Sequence, residues 1–428
     1  MIKQCSQAIS DFFKEHESVM KNFFSMSFMK GLEYIAPLIL IPYLVRTLGI
    51  ATFGTMQSVV SYMYIFYMLT NYGFSYSAAR QISVHRENKE KIQQIASSVM
   101  VLKILFMIAS FVLMIIGVII FPHLNAEFGL CLLTFGFVAG DVFLPVWLYQ
   151  GFEKLNILSR FQIMSRVLIF AFTLLLIKSP DDYLLYPIIY YGIQIIAGIA
   201  SLLLIPRLFG VHFIIPTKEH MIEELQLGIG PFKSILSQAL YANPRLFYLS
   251  LFANPIITGQ FAVAEKAAGV FQLFPVWLFV FSALPRLSLV FEQDKEECFE
   301  KIKHYQKITI IYALLLLPFA MYFAPEIIFV FSGEYIDEAV FLFRIMYLET
   351  VIIHSNIFIL HFFAASGRYD LFSRVYIITC IGSLLMYAVI VPVYGALGMA
   401  LCIVASALLL VISTQYTIGQ HKAIILSS

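Results

Sequence analysis

The sequence predicts an all-α integral membrane protein with twelve transmembrane helices. Three observations predict this fold class: 60% of the 428 residues are hydrophobic, only 13% are charged, and the hydrophobic residues are gathered in long runs. Sixty per cent of 428 is about 257 residues. One transmembrane helix needs roughly 20 such residues, which leaves room for about a dozen spans. A soluble protein of average composition carries about 25% charged residues, so the soluble classes are excluded.

Twelve apolar runs, each bounded by charged or turn residues, are the predicted spans. The run at 104 to 121, ILFMIASFVLMIIGVIIF, is the least ambiguous of them. No alternating ten-residue pattern appears, so the backbone must be satisfied within helices rather than in a barrel. The spans centre on 23 to 46, 53 to 79, 98 to 121, 127 to 149, 157 to 177, 183 to 205, 228 to 252, 258 to 284, 308 to 331, 338 to 364, 371 to 391 and 396 to 417.

The distribution of Lys and Arg predicts that both termini are cytoplasmic. With the N-terminus inside, nineteen of the 28 basic residues lie at the cytoplasmic ends of the spans, and seven lie within spans. Only Arg46 and Lys178 lie on the opposite side. Basic residues are retained on the cytoplasmic side of membrane proteins, so this bias favours cytoplasmic termini and an even number of spans.

Charge, cysteines and loop lengths exclude several functions. The net charge of +2 gives no reason to expect a nucleic acid partner. No Cys or His spacing predicts a metal or another cofactor. The longest stretches outside the spans, 80 to 97, 206 to 227 and 286 to 307, are all cytoplasmic, and the outer loops are short. A glycan polymerase or glycosyltransferase acting at the outer face would need a large outer loop, so an enzyme is not expected.

A weak internal repeat predicts two lobes of six helices. Gly54 is followed 26 residues later by Arg80, and Gly259 is followed 27 residues later by Arg286. We therefore expect an N-terminal lobe at 1–205, a cytoplasmic linker at 206–227 and a C-terminal lobe at 228–428. Repeats of this kind place a substrate path at their interface, near the bilayer midplane.

Ionisable residues inside the spans are the first candidates for function, because an unpaired charge in hydrocarbon costs about 2.5 to 3.5 kcal/mol or more. Six of nine lie in spans 1, 7 and 8, which predicts a cleft between the lobes. The nine are Lys30, Glu33, Asp141, Lys233, Arg245, Glu265, Lys266, Arg344 and Glu349.

Polar stripes extend this cleft along spans 2 and 7. Gln57 and Tyr64 are seven residues apart in span 2, and Gln238, Tyr241 and Arg245 follow one another at helical spacing in span 7. Such stripes either face a water-filled cleft or join helices by hydrogen bonds worth about 0.6 kcal/mol each. Both interpretations remain open for these stripes.

Several of the charged residues have a structural alternative. Lys30 and Glu33, at i and i+3, are close enough to neutralise each other. Asp141 and Glu349 are either proton-coupling carboxylates or partners of Arg166 and Arg344. Adjacent Glu265 and Lys266 point about 100° apart on a helix, so we expect at least one of them to face the cleft.

We expect cations near the cytoplasmic ends of spans to reach the lipid headgroups; these are Lys103, Arg160, Arg166 and Arg374. His354 and His361 form a proton relay or, as the alternative, pack through hydrogen bonds.

Five segments in the correct order resemble one known family. They are LIPYLVRTLGIATFGTMQSVVSY, NYGFSYSAARQISVHRENKEKIQQIASSVMVLK, PVWLYQGFEKLNILSRFQI, ITGQFAVAEKAAGVFQ and VPVYGALGMALCIVASALLL. Together they cover nearly the whole chain and resemble the Wzx-type O-antigen and polysaccharide-repeat flippases. These belong to the multidrug, oligosaccharidyl-lipid and polysaccharide (MOP) exporter superfamily. The chain departs from the family pattern at Phe261.

The resemblance implies a V-shaped exporter that moves an undecaprenyl-diphosphate-linked oligosaccharide to the outer leaflet, driven by protons, another cation or the membrane potential. The other implied partners are membrane lipids, an O-antigen polymerase and a chain-length regulator. For such a substrate we expect binding residues at Lys30, Arg245, Lys266, Tyr64, Tyr241, Gln57 and Gln238, and ion coupling at Glu33, Asp141, Glu265 and Glu349. The alternative is a drug or cation antiporter of the same superfamily, whose cleft should hold carboxylates and aromatic residues.

Overall fold

A computed structural model of the protein describes residues 38–278, 287, 290, 294–356 and 369–427. All regular secondary structure in these ranges is helical, as predicted, and they contain no strand. A helix pairs most of its backbone polar groups internally, which is the arrangement that a lipid environment requires.

The described residues of the N-terminal half, from residue 38 onward, form ten α-helices. A short 3₁₀ helix, Pro180–Leu184, precedes the last of them, and its first turn is capped by Ser179 and Asp182. The ten helices are α1 (Leu38–Leu48), α2 (Ile50–Asn71), α3 (Phe74–Val84), α4 (Lys89–Ile120), α5 (Pro122–Ala126), α6 (Phe128–Thr134), α7 (Gly136–Phe143), α8 (Val146–Gly151), α9 (Leu155–Leu176) and α10 (Leu185–Phe209).

The C-terminal half contains seven further helices in the residues that the structure describes. The last is continuous except at Gly395, where φ of +54° breaks the helix between the predicted spans 11 and 12. A positive φ is accessible to Gly at no steric cost. The helices are α11 (Lys218–Ala242), α12 (Arg245–Ser250), α13 (Pro255–Leu278), α14 (Lys295–Tyr322), α15 (Ala324–Ser332), α16 (Asp337–His354) and α17 (Tyr369–Ser427).

The outer faces of the bundle are apolar. Leu203, Leu315 and Val393 are each at least 70% exposed, and many other large hydrophobic side chains are exposed as well. In water such a surface would be unfavourable, whereas in a bilayer it meets lipid. Six helical segments of the described chain are long and apolar enough to span a membrane. The number of twelve spans stays a prediction.

The two lobes meet closely where α2 crosses α13. A Cβ atom built on Gly54 would lie 2.4 Å from the backbone nitrogen of Gly259. Beside this crossing, the Ser61 hydroxyl donates to the carbonyl of Asn243 (2.6 Å) and accepts from the backbone N–H of Phe247 (3.2 Å). One hydrophobic core therefore continues through both lobes at this end. The predicted topology assigns this end to the outer face.

The linker continues into the C-terminal lobe without an interruption of the helix. After α10 ends at Phe209, an irregular segment leads to Thr217, whose hydroxyl caps α11 at His220 N. The first turns of α11 pack on α3 and α4, and Gln81 donates to Glu224 there at 2.7 Å. The linker predicted at 206–227 thus includes the start of the helix that becomes span 7.

Candidate functional site

A buried ion cluster centred on Arg245 lies in the C-terminal lobe. Its guanidinium Nη2 donates to Glu349 Oε1 at 3.0 Å, and Nη1 lies 3.8 Å from Glu265 Oε1. The side chains of Arg245 and Glu349 are only 9% and 10% exposed, whereas Glu265 is 23% exposed. The Arg245–Glu349 pair is therefore the tighter one, and Glu265 is the more accessible carboxylate.

A break in the helix positions this guanidinium. Helix α11 ends at Ala242, and α12 begins at Arg245 directly after Pro244. Because the α11 ladder ends there, the carbonyl of Tyr241 accepts from the hydroxyl of Tyr387 (2.8 Å) and from Arg245 Nε (3.4 Å). The Tyr241 ring also lies 5.7 Å from the guanidinium carbon, within cation–π range. Backbone and side chain of Tyr241 together fix the direction of Arg245.

The cluster lines a cavity of about 200 Å³ in the C-terminal lobe. Its polar wall combines Tyr241, Arg245, Glu265, Gln272 and Glu349, which come from α11, α12, α13 and α16. Removing one partner of a buried ion pair costs about 3 to 5 kcal/mol, because it leaves an uncompensated charge. Buried charges that line a cavity at membrane depth are therefore expected to contact a ligand or an ion.

Of the binding residues predicted in span 7, the structure brings only two to the cavity. Tyr241 and Arg245 line it, whereas Gln238 is largely exposed and donates to the Tyr376 hydroxyl at 3.0 Å. Lys266 follows Glu265 directly on α13 and is half-buried. Within the described part of the chain, Lys266 makes no ion pair.

The residues predicted in span 2 lie on the N-terminal lobe, away from this cavity. Tyr64 packs edge-on against Phe137, with ring centroids 5.0 Å apart. Gln57 is half-buried on α2. Lys30 and Glu33 lie outside the described residues, as does His361. Their predicted roles therefore stay predictions.

Asp141 forms a buried ion pair that the sequence analysis did not anticipate. Its Oδ2 lies 3.0 Å from Lys103 Nζ, and the Lys103 side chain is 3% exposed. The prediction that Lys103 reaches the headgroups is therefore wrong, because its ammonium is buried against a carboxylate. The predicted pairing of Asp141 with Arg166 is also wrong, since Arg166 donates to the Tyr190 hydroxyl at 2.7 Å.

Arg344, the alternative partner predicted for Glu349, does not pair with it. Arg344 is exposed and donates to the backbone carbonyl of Met321 at 3.2 Å, while Glu349 pairs with Arg245. His354 is buried and hydrogen-bonds the Thr350 carbonyl through Nδ1, which agrees with the packing alternative for this histidine.

Depth along the spans is consistent with both ion pairs, but it does not separate Arg245 from Arg344, which lies six residues after the start of span 10. Arg245 lies seven residues before the end of its predicted span, Glu265 seven residues after the start of the next one, and Glu349 eleven after the start of span 10. These three positions are measured from the same membrane face. Lys103 and Asp141 lie five and eight residues from the opposite face. Matching opposite charges by depth is thus a signal that sequence reasoning can use.

Comparison with known proteins gives the same class of fold. The inward closed lipid II flippase MurJ superposes with a TM-score of 0.70 at 15% identity, covering 95% of this chain and 87% of that one. An inward-facing multidrug resistance transporter of the MATE family, from the MOP superfamily, superposes with a TM-score of 0.68 at 14% identity, covering 91% and 98%. The fold is therefore the one that these MOP superfamily structures share.

Sequence comparison names the family. The family described as "Polysaccharide biosynthesis protein" matches residues 19–291, and this chain belongs to it. A protein from Escherichia coli strain K12 with the name "Putative O-antigen transporter" is 24% identical over 419 residues. That alignment covers 95% of this chain and 98% of the relative.

Proposed function

We propose that this protein moves an undecaprenyl-diphosphate-linked oligosaccharide from the cytoplasmic to the outer leaflet of a bacterial inner membrane. Membership of a polysaccharide biosynthesis family supports the substrate class. The observation on this chain that carries the proposal is Arg245, a buried cation on the wall of a cavity at membrane depth. A diphosphate needs such a cation.

The unequal pairing of Arg245 suggests how a diphosphate binds. Glu349 holds one side of the guanidinium at 3.0 Å, whereas Glu265 lies at 3.8 Å and is more exposed. An incoming phosphate oxygen therefore displaces Glu265 more readily than Glu349. Arg presents several N–H donors in a planar fork that suits phosphate oxygens. Lys266, next in sequence, supplies a second positive charge, and Lys30 is proposed as a third.

Sugars and polar groups are proposed to bind along the remaining polar side chains. Tyr241 and Tyr64 offer ring faces on which sugars stack, and Gln57 and Gln238 offer amides for sugar hydroxyls. The lipid tail stays in the bilayer during transport, because its burial in lipid is favoured by about 0.8 kcal/mol per CH₂.

Transport is proposed to follow alternating access with coupling to protons or to the membrane potential. When phosphate displaces Glu265 from Arg245, the Glu265 carboxylate takes up a proton. Release of this proton returns the empty carrier to its starting state. Glu33, Asp141 and Glu349 are the other proposed coupling carboxylates. Moving two negative charges outward across an inside-negative potential is favoured by about 2.3 kcal/mol per charge per 100 mV. The potential therefore favours export.

The proposed setting follows from the predicted orientation. Both termini lie in the cytoplasm, where the lipid-linked unit is made, and the product reaches the outer leaflet. An O-antigen polymerase and a chain-length regulator would use it there, and they are the proposed protein partners.

A drug or cation antiporter is the second candidate, and one observation favours it. Two carboxylates and Tyr241 face the cavity, as expected for a cationic ligand, and the MATE structure shares the fold. The two functions predict opposite effects of charge. Removal of Glu265 should abolish antiport of a cation, whereas removal of Arg245 should abolish transport of a diphosphate.

The proposal is tested with purified protein in liposomes that contain a lipid-linked oligosaccharide. Translocation exposes the sugar to membrane-impermeant periodate. We expect Arg245→Lys and Lys266→Ala to slow exposure strongly. Arg344→Ala is the matched control, because that exposed arginine donates to the backbone carbonyl of Met321 and is not among the described lining residues of the Arg245 cavity.

Arg245→Ala and Lys266→Ala are expected to reduce polysaccharide assembly in cells. Their amount in the membrane is measured by immunoblot so that a folding defect is recognised. Intact assembly with both Arg245→Ala and Lys266→Ala would contradict the proposal.

A further inference from the structure

A second cavity of about 200 Å³ lies between the two lobes, beside the crossing of α2 and α13. The N-terminal lobe contributes His123 and Glu127, and the C-terminal lobe contributes Ser250. By the predicted topology, every residue on its wall belongs to the outer end of a span or to an outer loop. We call it the outer pocket. It is distinct from the Arg245 cavity, with which it shares no lining residue.

Four hydroxyl groups line the described outer pocket, and all four donate hydrogen bonds to backbone carbonyls. Each of the four donates its hydrogen to a carbonyl of its own helix or of the turn that leads into it, so its oxygen remains only an acceptor. The four bonds are Thr55 to Ala51 (3.2 Å), Ser58 to Thr55 (2.8 Å), Ser250 to Phe247 (2.8 Å) and Thr258 to Asn254 (3.0 Å). In this closed arrangement the four hydroxyl hydrogens are therefore taken up inside the protein.

His123 is the titratable nitrogen base of this pocket. It lies on the short helix α5, and its ring is 6.1 Å from that of Phe121 and 6.4 Å from that of Phe247. Its Nε2 lies 3.5 Å from Ser250 Oγ. This weak contact joins the N-terminal lobe to the C-terminal lobe with either tautomer of the ring. The neutral ring thus bridges the two lobes.

Among the described residues, His123 has no ion-pair partner that would stabilise its protonated form. Glu127 is the one carboxylate on the described wall of the pocket, and its Oε2 accepts from the Tyr183 hydroxyl at 3.2 Å. No Lys or Arg lines the pocket in the described chain. Burial alone lowers the pKa of His123 from its ordinary value of 6.5. The apolar contacts therefore favour the neutral ring.

Separation of the lobes at this end would place the ring in water. Its contacts with Phe247 and Ser250 cross from one lobe to the other, so they are lost when the lobes part. The protonated ring is then solvated, and the proton binds more strongly to the open form than to the closed form. By linkage, each unit of difference in pKa changes the ratio of open to closed protein by about tenfold at low pH.

We infer that His123 is the proton-uptake residue of an outer gate, and that its protonation from the outer side opens the lobes toward that side. The inference rests on the proposed function and adds a gate that responds to the pH of the outer side. A proton enters the outer pocket from that side as the lobes open to release the exported lipid. It returns to the same side when the lobes close, so the acidity of the outer side sets the fraction of protein that is open outward.

The test measures the separation of the lobes as a function of pH. Spin labels are placed at residues 125 and 252, which are exposed on either side of the outer pocket, in full-length protein without its five native cysteines. We expect the long-distance population to grow as the pH falls from about 7.5 to about 5.5, the range in which histidine titrates. His123→Gln keeps a neutral side chain and should lose most of this response. His123→Lys should favour the open form throughout.

His212→Gln is the matched control, because His212 is an exposed histidine of the linker on the opposite face. It should respond to pH like the unmodified protein. The inference is overturned if the unmodified protein shows no pH response, or if His123→Gln responds equally. Sugar exposure to periodate in the liposome assay is measured separately. A normal rate there with no pH-dependent opening would contradict the gate and leave the proposed function intact.

Discussion

Gly54 of α2 and Gly259 of α13 pack directly against each other at the crossing of the two lobes. A Cβ atom on Gly259 would lie 2.0 Å from the carbonyl oxygen of Ile50, and one on Gly54 would lie 2.4 Å from the nitrogen of Gly259. These are the two glycines that mark the same position in the predicted internal repeat. The repeat thus brings equivalent helices of the two lobes to their closest contact, where only glycine fits.

Gly54→Ala is expected to destabilise the protein and to impair closure of this crossing. The added methyl group meets backbone atoms, which cannot rotate away, and overpacking of this kind costs about 1 to 3 kcal/mol. Thermal unfolding in detergent measures the loss. Gly230→Ala is the control, since a Cβ there has no neighbour within 4 Å and alanine favours the helix. Equal stability of Gly54→Ala and the unmodified protein would show that the lobes do not meet here.

The two carboxylates beside Arg245 are expected to contribute unequally to stability. Glu349→Ala should lower the unfolding free energy by about 3 to 5 kcal/mol, because it removes the buried partner at 3.0 Å. Glu265→Ala should cost much less, since that pair is longer and partly exposed. Chemical unfolding of both variants compares them, and a double-mutant cycle with Arg245→Ala gives the coupling. The opposite ranking would contradict the geometry.

Replacing both members of the Lys103–Asp141 pair is expected to preserve stability, whereas replacing one of them is expected to lower it. Lys103→Ala leaves a carboxylate without its cation and should cost about 3 to 5 kcal/mol, whereas Lys103→Met with Asp141→Leu should be close to neutral. Thermal unfolding of the single and double variants measures this. If the double variant remains stable but loses sugar translocation, the pair contributes to transport beyond its structural role.

The contact between the linker helix and the N-terminal lobe is expected to weaken as the pH rises. Glu224 is 2% exposed, and burial raises its pKa from 4.5 to about 7. The unfolded chain therefore loses this proton at lower pH than the folded chain does. Unfolding free energy should fall by about 1.4 kcal/mol per pH unit between about 4.5 and 7, and should level off above that range.

Glu224→Gln keeps a hydrogen-bonding partner for Gln81 without the ionisation, so it should remove this part of the pH dependence. Thermal unfolding across the pH range measures the difference between the two proteins. Glu223→Gln is the control, because that neighbouring carboxylate is exposed and pairs with Lys91 at 3.4 Å. If the difference in stability between the unmodified protein and Glu224→Gln does not change with pH, Glu224 is not the source of the pH dependence.

Much of the fold followed from hydropathy, but the pairing of charges did not. The all-helical chain and the break near Gly395 were predictable, because each depends on local composition. Sequence reasoning identified Arg245, Glu265 and Glu349 as candidates because charges are rare in spans. It missed that Arg245 pairs with Glu349, and it assigned Lys103 to the membrane surface. Snorkelling and ion pairing look alike in one sequence, since both place a cation near the end of a span.

By itself, the sequence determined that this protein is a helical membrane protein with polar residues at depth, because 60% hydrophobic composition permits little else. Only the tertiary structure decided which polar residues meet. Contacts such as Arg245–Glu349 and His123–Ser250 join residues 104 and 127 positions apart. They depend on how each helix is rotated and where it breaks, and packing between helices sets both.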